Sequence, residues 1–169
     1  YDTLSRQECF WLNSAQNLVT SLSKHYGPIH LDKISQNIAD TTPFEKDVLG
    51  TDTALIRKIT LSSEMKTLIY ARTVILKETY THFTNQLDSL NNKPIGDNLL
   101  FDKQKFNREE FIIRKLPFKS FLNEIGFDIK HQLEYVFSRS SVFTYKKTHT
   151  LKFLITEYFL EIPENTHDI

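Results

Sequence analysis

The chain contains one cysteine and four glycines among its 169 residues. A single cysteine, Cys9, excludes an internal disulfide and a cluster of thiolate metal ligands, and it suits a reducing compartment. No glycine-rich loop of the kind that binds phosphate groups is present. The six histidines include no pair at the close helical spacing of a metal site. The sequence therefore predicts neither a metal site nor a bound cofactor.

An excess of one charge and long apolar runs are also missing. The 21 Lys and Arg residues balance the 21 Asp and Glu residues, and no basic run indicates a nucleic-acid surface. No apolar run approaches the roughly 18 residues of a transmembrane helix, and no signal peptide is evident. We therefore expect no nucleic-acid partner and no membrane span. Affinity for an anion must come from a few individually placed side chains.

The apolar periodicity predicts a single α+β domain over 1–169. An amphipathic helix is expected at about 5–26, and the sheet and intervening helical segments at 29–162. Strands are expected at 29–38, 54–61, 66–76, 106–116, 135–146 and 150–162. Shorter helices are expected at 42–50, 77–90, 95–101 and 117–125. The tight hairpins favour an antiparallel sheet of about six strands.

Two charged residues occupy strand positions that alternation assigns to apolar faces. In 55–61 the two-residue period places Arg57 among apolar side chains, and in 151–162 it places Glu157 in the same situation. A desolvated charge costs several kcal/mol unless it is paired or meets a charged ligand. The two residues could pair with each other, or they could face each other across a pocket for a small anionic molecule.

Two further cations, Arg72 and Arg139, lie on apolar strand faces by the same alternation. A salt bridge at a sheet edge is the usual explanation for one such arginine, and a long stem can also reach water. Several inward charges from different strands favour a ligand pocket instead, because arginine suits bidentate recognition of a carboxylate. The acidic pair Glu109-Glu110 we interpret as solvated strand positions.

Four short segments occur in a fixed order along the chain. They are L-I-R-K-I at 55–59, L-I-Y-A-R-T-V-I at 68–75, K-P-I-G-D-N-L-L-F at 93–101 and L-I-T-E-Y-F-L at 154–160. Together they resemble the corresponding segments of the chorismate pyruvate-lyase (chorismate lyase) family, including its divergent cyanobacterial and plastid-encoded members. Between the last two, F-N-R-E at 106–109 resembles a strand of the more divergent members. The resemblance covers about 18–163.

This resemblance implies an antiparallel sheet with helices packed on one side and an internal ligand pocket beneath helical flaps. It also implies a lyase that eliminates pyruvate from chorismate and forms 4-hydroxybenzoate without a cofactor. Arg57, binding the ring carboxylate, and Glu157, meeting the ring hydroxyl, would be the catalytic residues. We expect Arg72 or Arg139 to bind the enolpyruvyl carboxylate. The substrate-binding residues expected in this way are Leu18, Arg57, Arg72, Ile95, Arg139 and Glu157.

The alternative is a protein of the same fold without catalytic activity. Effector-binding domains of some bacterial transcription regulators share this general fold, and a fold does not assign a function. Such a domain would bind a phenolic acid or another small effector. Because the sequence shows no DNA-binding helix-turn-helix pattern, we do not expect a complete regulator. We expect a monomer located in a plastid or in the bacterial cytoplasm.

Overall fold

Seven strands form one antiparallel sheet in the computed structural model, which describes residues 4–163. The strands are β1 (His30–Asp40), β2 (Thr53–Ser62), β3 (Thr67–Ile75), β4 (Phe106–Arg108), β5 (Ile112–Pro117), β6 (Tyr135–Tyr145) and β7 (Lys152–Phe159). Their spatial order is β1-β2-β3-β7-β6, and both β4 and β5 pair with the outer side of β6. The ends of the predicted domain, 1–3 and 164–169, lie outside the described residues.

Within residues 4–163, five α-helices and two π-helical turns connect and cover the strands. They are α1 (Arg6–Cys9), a π-turn (Phe10–Ser14), α2 (Leu18–Tyr26), α3 (Pro43–Leu49), α4 (Lys77–Asp88), a second π-turn (Gly96–Leu100) and α5 (Phe118–Ile125). No helix of the described residues is long and apolar enough to cross a membrane.

The sheet has two buried faces. The face that carries Arg57, Thr73 and Glu157 is called the front face, and it packs against α2, α4 and both π-turns. The opposite, back face carries Arg72 and packs against α3 and α5. Because the central strands are apolar on both faces, each face needs a layer of helices to exclude water.

The predicted α+β class with an antiparallel sheet is confirmed, and two of its details change. The sheet has seven strands rather than about six, and helices cover both faces rather than one side. The extra strand arises because the segment predicted as one strand, 106–116, is divided into β4 and β5. Arg108 pairs with Phe143 and Ile112 with Ser140, so this segment carries one residue more than β6 between the two pairs, as in a β-bulge.

The predicted N-terminal helix is also divided. Helical structure stops at Ser14, and α2 begins only at Leu18. Asn17 starts the second helix because its side-chain oxygen accepts a hydrogen bond from the Thr20 backbone N–H at 3.1 Å. Ala15 is extended, with φ −73° and ψ 91°. The break turns the start of α2 into a separate segment above the front face.

Candidate functional site

A small cavity lies between the front face and two chain segments. The first flap is residues 17–19, at the start of α2, and the second flap is residues 94–101, which contain the second π-turn. The cavity has a volume of about 60 Å³. It is called the inner cavity, and its lining residues are Asn17, Leu18, Val19, Leu31, Ile59, Leu61, Ala71, Thr73, Pro94, Ile95, Gly96, Asp97, Phe101, Arg108, Ile155 and Glu157.

Three of the residues expected at the site meet in the inner cavity. Leu18 comes from the first flap, Ile95 from the second flap and Glu157 from β7. Leu18 and Ile95 are 3% and 8% exposed. Apolar side chains therefore cover the cavity from above, while the sheet presents a carboxylate from below.

The second flap is shaped by a close contact between Gly96 and Phe101. A Cβ atom on Gly96 would lie 2.3 Å from the Phe101 ring, a distance that two carbon atoms cannot tolerate. The Phe101 backbone N–H also donates to the Gly96 carbonyl at 2.8 Å. Glycine is needed at this position because the ring folds back onto it, and both residues line the inner cavity.

The two flaps are joined directly. The Asn17 side-chain Nδ2 donates to the Asp97 carboxylate at 2.8 Å. Both residues line the inner cavity, so this hydrogen bond closes the cover over it. The bond is exposed to water, where one hydrogen bond contributes only about 0.5–1.5 kcal/mol, and it can therefore open and close easily.

Glu157 forms a salt bridge with Arg139 on the neighbouring strand. The two residues are directly opposite each other in the pairing of β6 and β7, and Arg139 Nε lies 2.6 Å from Glu157 Oε1. The Arg139 side chain is fully buried, whereas the Glu157 side chain is 15% exposed. The carboxylate is thus held by one oxygen from beneath while it borders the inner cavity.

Arg139 also holds the first flap in place. Its Nη1 donates to the backbone carbonyls of Trp11 at 3.0 Å and Ala15 at 2.5 Å. These carbonyls lie in the π-turn and just after it, where helical partners are missing. Arg139 is not among the lining residues of the inner cavity, so in this structure it positions Glu157 and the chain that leads to Leu18.

Arg57 has a similar relationship to the second flap. Its Nη2 donates to the carbonyls of Asn91 at 2.8 Å and Lys93 at 3.0 Å, and its Nη1 donates to the Gln36 side-chain oxygen at 3.0 Å. The residue is 1% exposed, and burial lowers the pKa of its guanidinium. Within residues 4–163 no carboxylate forms a salt bridge with it.

Arg72 does not belong to this site. It lies on the back face opposite Lys58 and Thr156, and it forms a two-pronged salt bridge with Glu45 at 2.8 and 2.9 Å. Both side chains are buried. The expectation that Arg72 contacts a ligand in the pocket is corrected: the strand register turns this arginine to the face opposite Glu157, where a carboxylate of α3 already neutralises it.

Arg108 is a cation of the inner cavity that the sequence patterns did not single out. Burial lowers the pKa of its guanidinium to about 10, with Glu157 acting to raise the pKa and Arg139 to lower it. The group remains charged at neutral pH. In the sequence Arg108 occurs within the F-N-R-E segment and beside the acidic pair Glu109-Glu110, and its spacing of two from Phe106 is the signal that it faces inward.

A second, wider opening adjoins the inner cavity. This outer cleft has a volume of about 510 Å³ and shares Asn17, Phe101 and Arg108 with the inner cavity. Its charged lining residues are Lys103, Arg108 and Lys146. All three are cations, so the outer cleft is suited to an anionic molecule.

Within residues 4–163, no three His, Cys, Asp or Glu side chains come together as a group that could hold a metal ion. The expectation of a reaction without metal or cofactor stays a prediction. The polar groups of the inner cavity are a carboxylate, a guanidinium, the Thr73 side chain and the Asn17–Asp97 pair. Such a set can orient a small molecule that carries both an anionic group and a hydroxyl.

The fold and site together define an α+β protein that encloses a small cavity beneath two flaps. The family model described as "Chorismate lyase" matches residues 2–166. The chain therefore belongs to the chorismate lyase family, and the suspected relationship is confirmed.

A "Probable chorismate pyruvate-lyase" of Photobacterium profundum is 27% identical to this chain over 96 residues. The match covers 55% of this chain and 53% of that protein, so the matched region spans about half the length of this curated relative.

Solved structures share the fold at low sequence identity. The C-terminal domain of PhnF has a TM-score of 0.56 at 10% identity, covering 82% of this chain and 86% of that one. The effector binding domain of the B. subtilis trehalose repressor TreR has a TM-score of 0.54 at 8% identity, covering 77% and 89%. Likeness at this level of identity concerns the fold alone.

Proposed function

We propose that the protein eliminates pyruvate from chorismate and releases 4-hydroxybenzoate. The observation that carries the proposal is Glu157, a carboxylate that borders a covered cavity in a chain of the chorismate lyase family. The enclosed position matters because excluding water strengthens the polar contacts that orient a substrate.

The reaction needs little from the protein beyond orientation. The bond between the ring carbon and the enolpyruvyl oxygen breaks, and the adjacent ring carbon, which carries the hydroxyl, loses its hydrogen as a proton. The departing enolpyruvyl group takes up one proton at its methylene carbon and becomes pyruvate. The ring becomes aromatic and keeps its hydroxyl, so one chorismate gives one 4-hydroxybenzoate and one pyruvate.

In this proposal Glu157 accepts a hydrogen bond from the ring hydroxyl. Arg139 holds one carboxylate oxygen at 2.6 Å, which leaves the second oxygen for the ligand. A fixed carboxylate beside the carbon that loses its proton orients the ring and stabilises the developing phenol.

Arg57 binds the ring carboxylate in the same proposal. Arg57 pairs with Thr73, and Glu157 pairs with Ala71 two residues along β3. Strand spacing and rise then put the Arg57 and Glu157 backbones about 12 Å apart on the front face. Arg57 does not line the inner cavity in its present contacts. Two side chains on one face at this separation leave space between them for one six-membered ring with substituents at opposite ends.

Substrate binding requires the flaps to separate. An inner cavity of about 60 Å³ is smaller than the roughly 300–1,000 Å³ of ordinary ligand pockets. The Asn17–Asp97 hydrogen bond is the contact that must break, and the adjoining outer cleft provides the space through which an anion reaches the opening.

The second candidate function is binding of a phenolic acid or another effector without turnover. It is favoured by the likeness to the TreR domain, which is described as effector binding. The same cavity would then report ligand occupancy through the flaps. Because the fold alone supports this second function, the lyase is the function we propose.

Incubation of the purified protein with chorismate tests the proposal. We expect equimolar 4-hydroxybenzoate, measured by chromatography, and pyruvate, measured with a coupled reduction by lactate dehydrogenase. The rate should persist after exhaustive chelation of divalent ions. Binding of 4-hydroxybenzoate without formation of either product would favour the effector function.

We further propose a monomer in a plastid or the bacterial cytoplasm, which size-exclusion chromatography and localisation of a tagged protein would test.

A further inference from the structure

Arg108 is a cation at the inner cavity, and the charges of both Glu157 and Arg139 act on it. Arg139 is paired with Glu157, whereas Arg108 takes part in none of the salt bridges found within residues 4–163. Two guanidinium groups thus share one carboxylate. A partly buried cation that shares its counter-charge with a second cation is costly unless a ligand supplies further negative charge.

The guanidinium of Arg108 is held in a fixed position by protein contacts. Its Nη1 donates to the Gln16 carbonyl at 2.7 Å, and its Nε lies 3.4 Å from the Ser141 hydroxyl oxygen. Its central carbon lies 4.6 Å from the centre of the Phe111 ring and 4.9 Å from that of Phe143. Among the described residues, no acceptor is bound to Nη2, so this nitrogen is available to a ligand.

We propose that Arg108 binds the enolpyruvyl carboxylate of the substrate and thereby selects a ligand with two carboxylates over one with a single carboxylate. The inference rests on the proposed function for the identity of the ligand. It replaces the expectation that Arg72 or Arg139 has this role, because Arg72 lies on the back face and Arg139 lines neither the inner cavity nor the outer cleft.

The order of the strands supports this assignment. Arg57 lies on β2 and Arg108 on β4, four strand spacings or about 19 Å apart at the backbone. Glu157 lies between them on β7, and its charge acts on Arg108. The sheet therefore offers a cation on each side of one carboxylate.

The substitution pattern of chorismate matches this order. The ring carboxylate is opposite the hydroxyl, and the enolpyruvyl ether is on the carbon next to the hydroxyl carbon. A ring with its hydroxyl at Glu157 and its carboxylate toward Arg57 therefore carries the enolpyruvyl carboxylate beside Glu157. Beside Glu157, Arg108 is the cation among the described residues that lines the inner cavity, and it also lines the outer cleft.

Two stable probes test the inference without turnover. The first is 4-hydroxybenzoate, with one carboxylate, and the second is 3-(carboxymethoxy)-4-hydroxybenzoate, which adds an ether-linked carboxylate next to the hydroxyl. Calorimetry at constant ionic strength gives the preference of the wild-type protein for the second probe. In Arg108→Gln we expect this preference to fall about ten- to a hundredfold, because a charge-assisted contact is lost. Affinity for 4-hydroxybenzoate should change less than about threefold.

Two further variants separate a direct contact from other effects. Arg108→Lys keeps the charge without the planar fork and should recover part of the preference. Lys119→Gln removes one positive charge from α5, which packs on the back face, and should leave the preference unchanged. Melting curves of each variant confirm that the folded protein is being compared.

The outcomes distinguish the two proposals. Unchanged preference in folded Arg108→Gln, or an equal loss of affinity for both probes, would overturn the role of Arg108. If the wild-type protein prefers the second probe through Arg108 but forms no 4-hydroxybenzoate from chorismate, the lyase proposal fails while the binding role of Arg108 stands. No binding of either probe by the wild-type protein would overturn both.

Discussion

Arg139 donates to Glu157 across neighbouring strands, with 2.6 Å between Nε and Oε1. The same guanidinium donates to the carbonyls of Trp11 and Ala15, and through them it fixes the chain that leads into the first flap. Its Nη2 is buried and has no hydrogen-bond partner within residues 4–163. The carboxylate that borders the cavity and the cover above it are therefore connected through one side chain.

Replacement of Glu157 by glutamine tests whether the carboxylate does more than pair with Arg139. The amide keeps an oxygen that can accept from Arg139 but removes the negative charge. We expect turnover of chorismate to fall by about 10²-fold or more, as for a positioned acid–base group. We also expect the free energy of unfolding to fall by about 1.5–3 kcal/mol, the contribution of a hydrogen bond to a charged group. Product formation and urea unfolding of the same preparation measure the two effects.

A purely structural role for Glu157 gives a different result. The stability would fall, while the activity of the folded fraction would remain at the wild-type level. Arg139→Lys is the matched variant, because it keeps the charge beneath Glu157 but loses the donors that hold Trp11 and Ala15. It should lower stability and loosen the first flap while the carboxylate remains.

Arg57→Ala should weaken binding of 4-hydroxybenzoate by roughly 1.5–3 kcal/mol if the guanidinium meets the ring carboxylate. Because Arg57 also donates to two carbonyls ahead of the second flap, its loss could act through the flap alone. Gln36→Ala separates these possibilities, since it removes one partner of Arg57 and leaves the cation. If calorimetry shows that Arg57→Ala and Gln36→Ala lose equal affinity for 4-hydroxybenzoate, the proposed contact between Arg57 and the ring carboxylate is contradicted.

The salt bridge on the back face should matter for stability and not for the site. In Arg72→Ala the Glu45 carboxylate is left buried and unpaired, so we expect the free energy of unfolding to fall by about 3–5 kcal/mol. The affinity of the folded protein for 4-hydroxybenzoate should stay within about twofold of wild type. If Arg72→Ala instead loses affinity for 4-hydroxybenzoate while its stability stays normal, Arg72 contributes to ligand binding and the prediction is wrong.

The contact between the flaps should control how long a ligand stays. Asp97→Ala removes the acceptor of the Asn17 side chain, an exposed hydrogen bond of about 0.5–1.5 kcal/mol. We expect 4-hydroxybenzoate to dissociate several-fold faster, with little change in melting temperature, in a stopped-flow experiment. Asp128→Ala removes an exposed carboxylate from the loop after α5 and serves as the control for charge. Equal dissociation rates in the two variants would show that the flaps are held together by other contacts.

Much of the site was predictable because alternation along a strand is a local property. Glu157 was singled out by its apolar neighbours on β7, and the structure places it at a covered cavity with Leu18 and Ile95 from the two flaps. The motif at 93–101 also has a local physical reason, since Gly96 leaves the space that the Phe101 ring occupies. The roles proposed for these residues in binding and catalysis remain predictions.

Arg57 and Arg72 show that alternation along a strand does not predict which face of the sheet a residue occupies. Both follow the two-residue period and both are buried, yet they lie on opposite faces of the sheet. Alternation relates residues within one strand, whereas the register between strands decides which faces coincide. Because both faces of the sheet are covered by helices, an inward arginine could equally meet a ligand or a carboxylate of α3.

The sequence alone determined the antiparallel α+β class, the family and four residues whose charge had to be compensated, namely Arg57, Arg72, Arg139 and Glu157. It could do so because periodicity and short motifs are properties of the local sequence. Only the tertiary structure decided which compensation each charge receives: Glu45 for Arg72, Glu157 for Arg139, backbone carbonyls for Arg57, and no carboxylate of the described residues for Arg108. These partners come from distant parts of the chain. Their distances depend on strand register and helix packing, which no local pattern specifies.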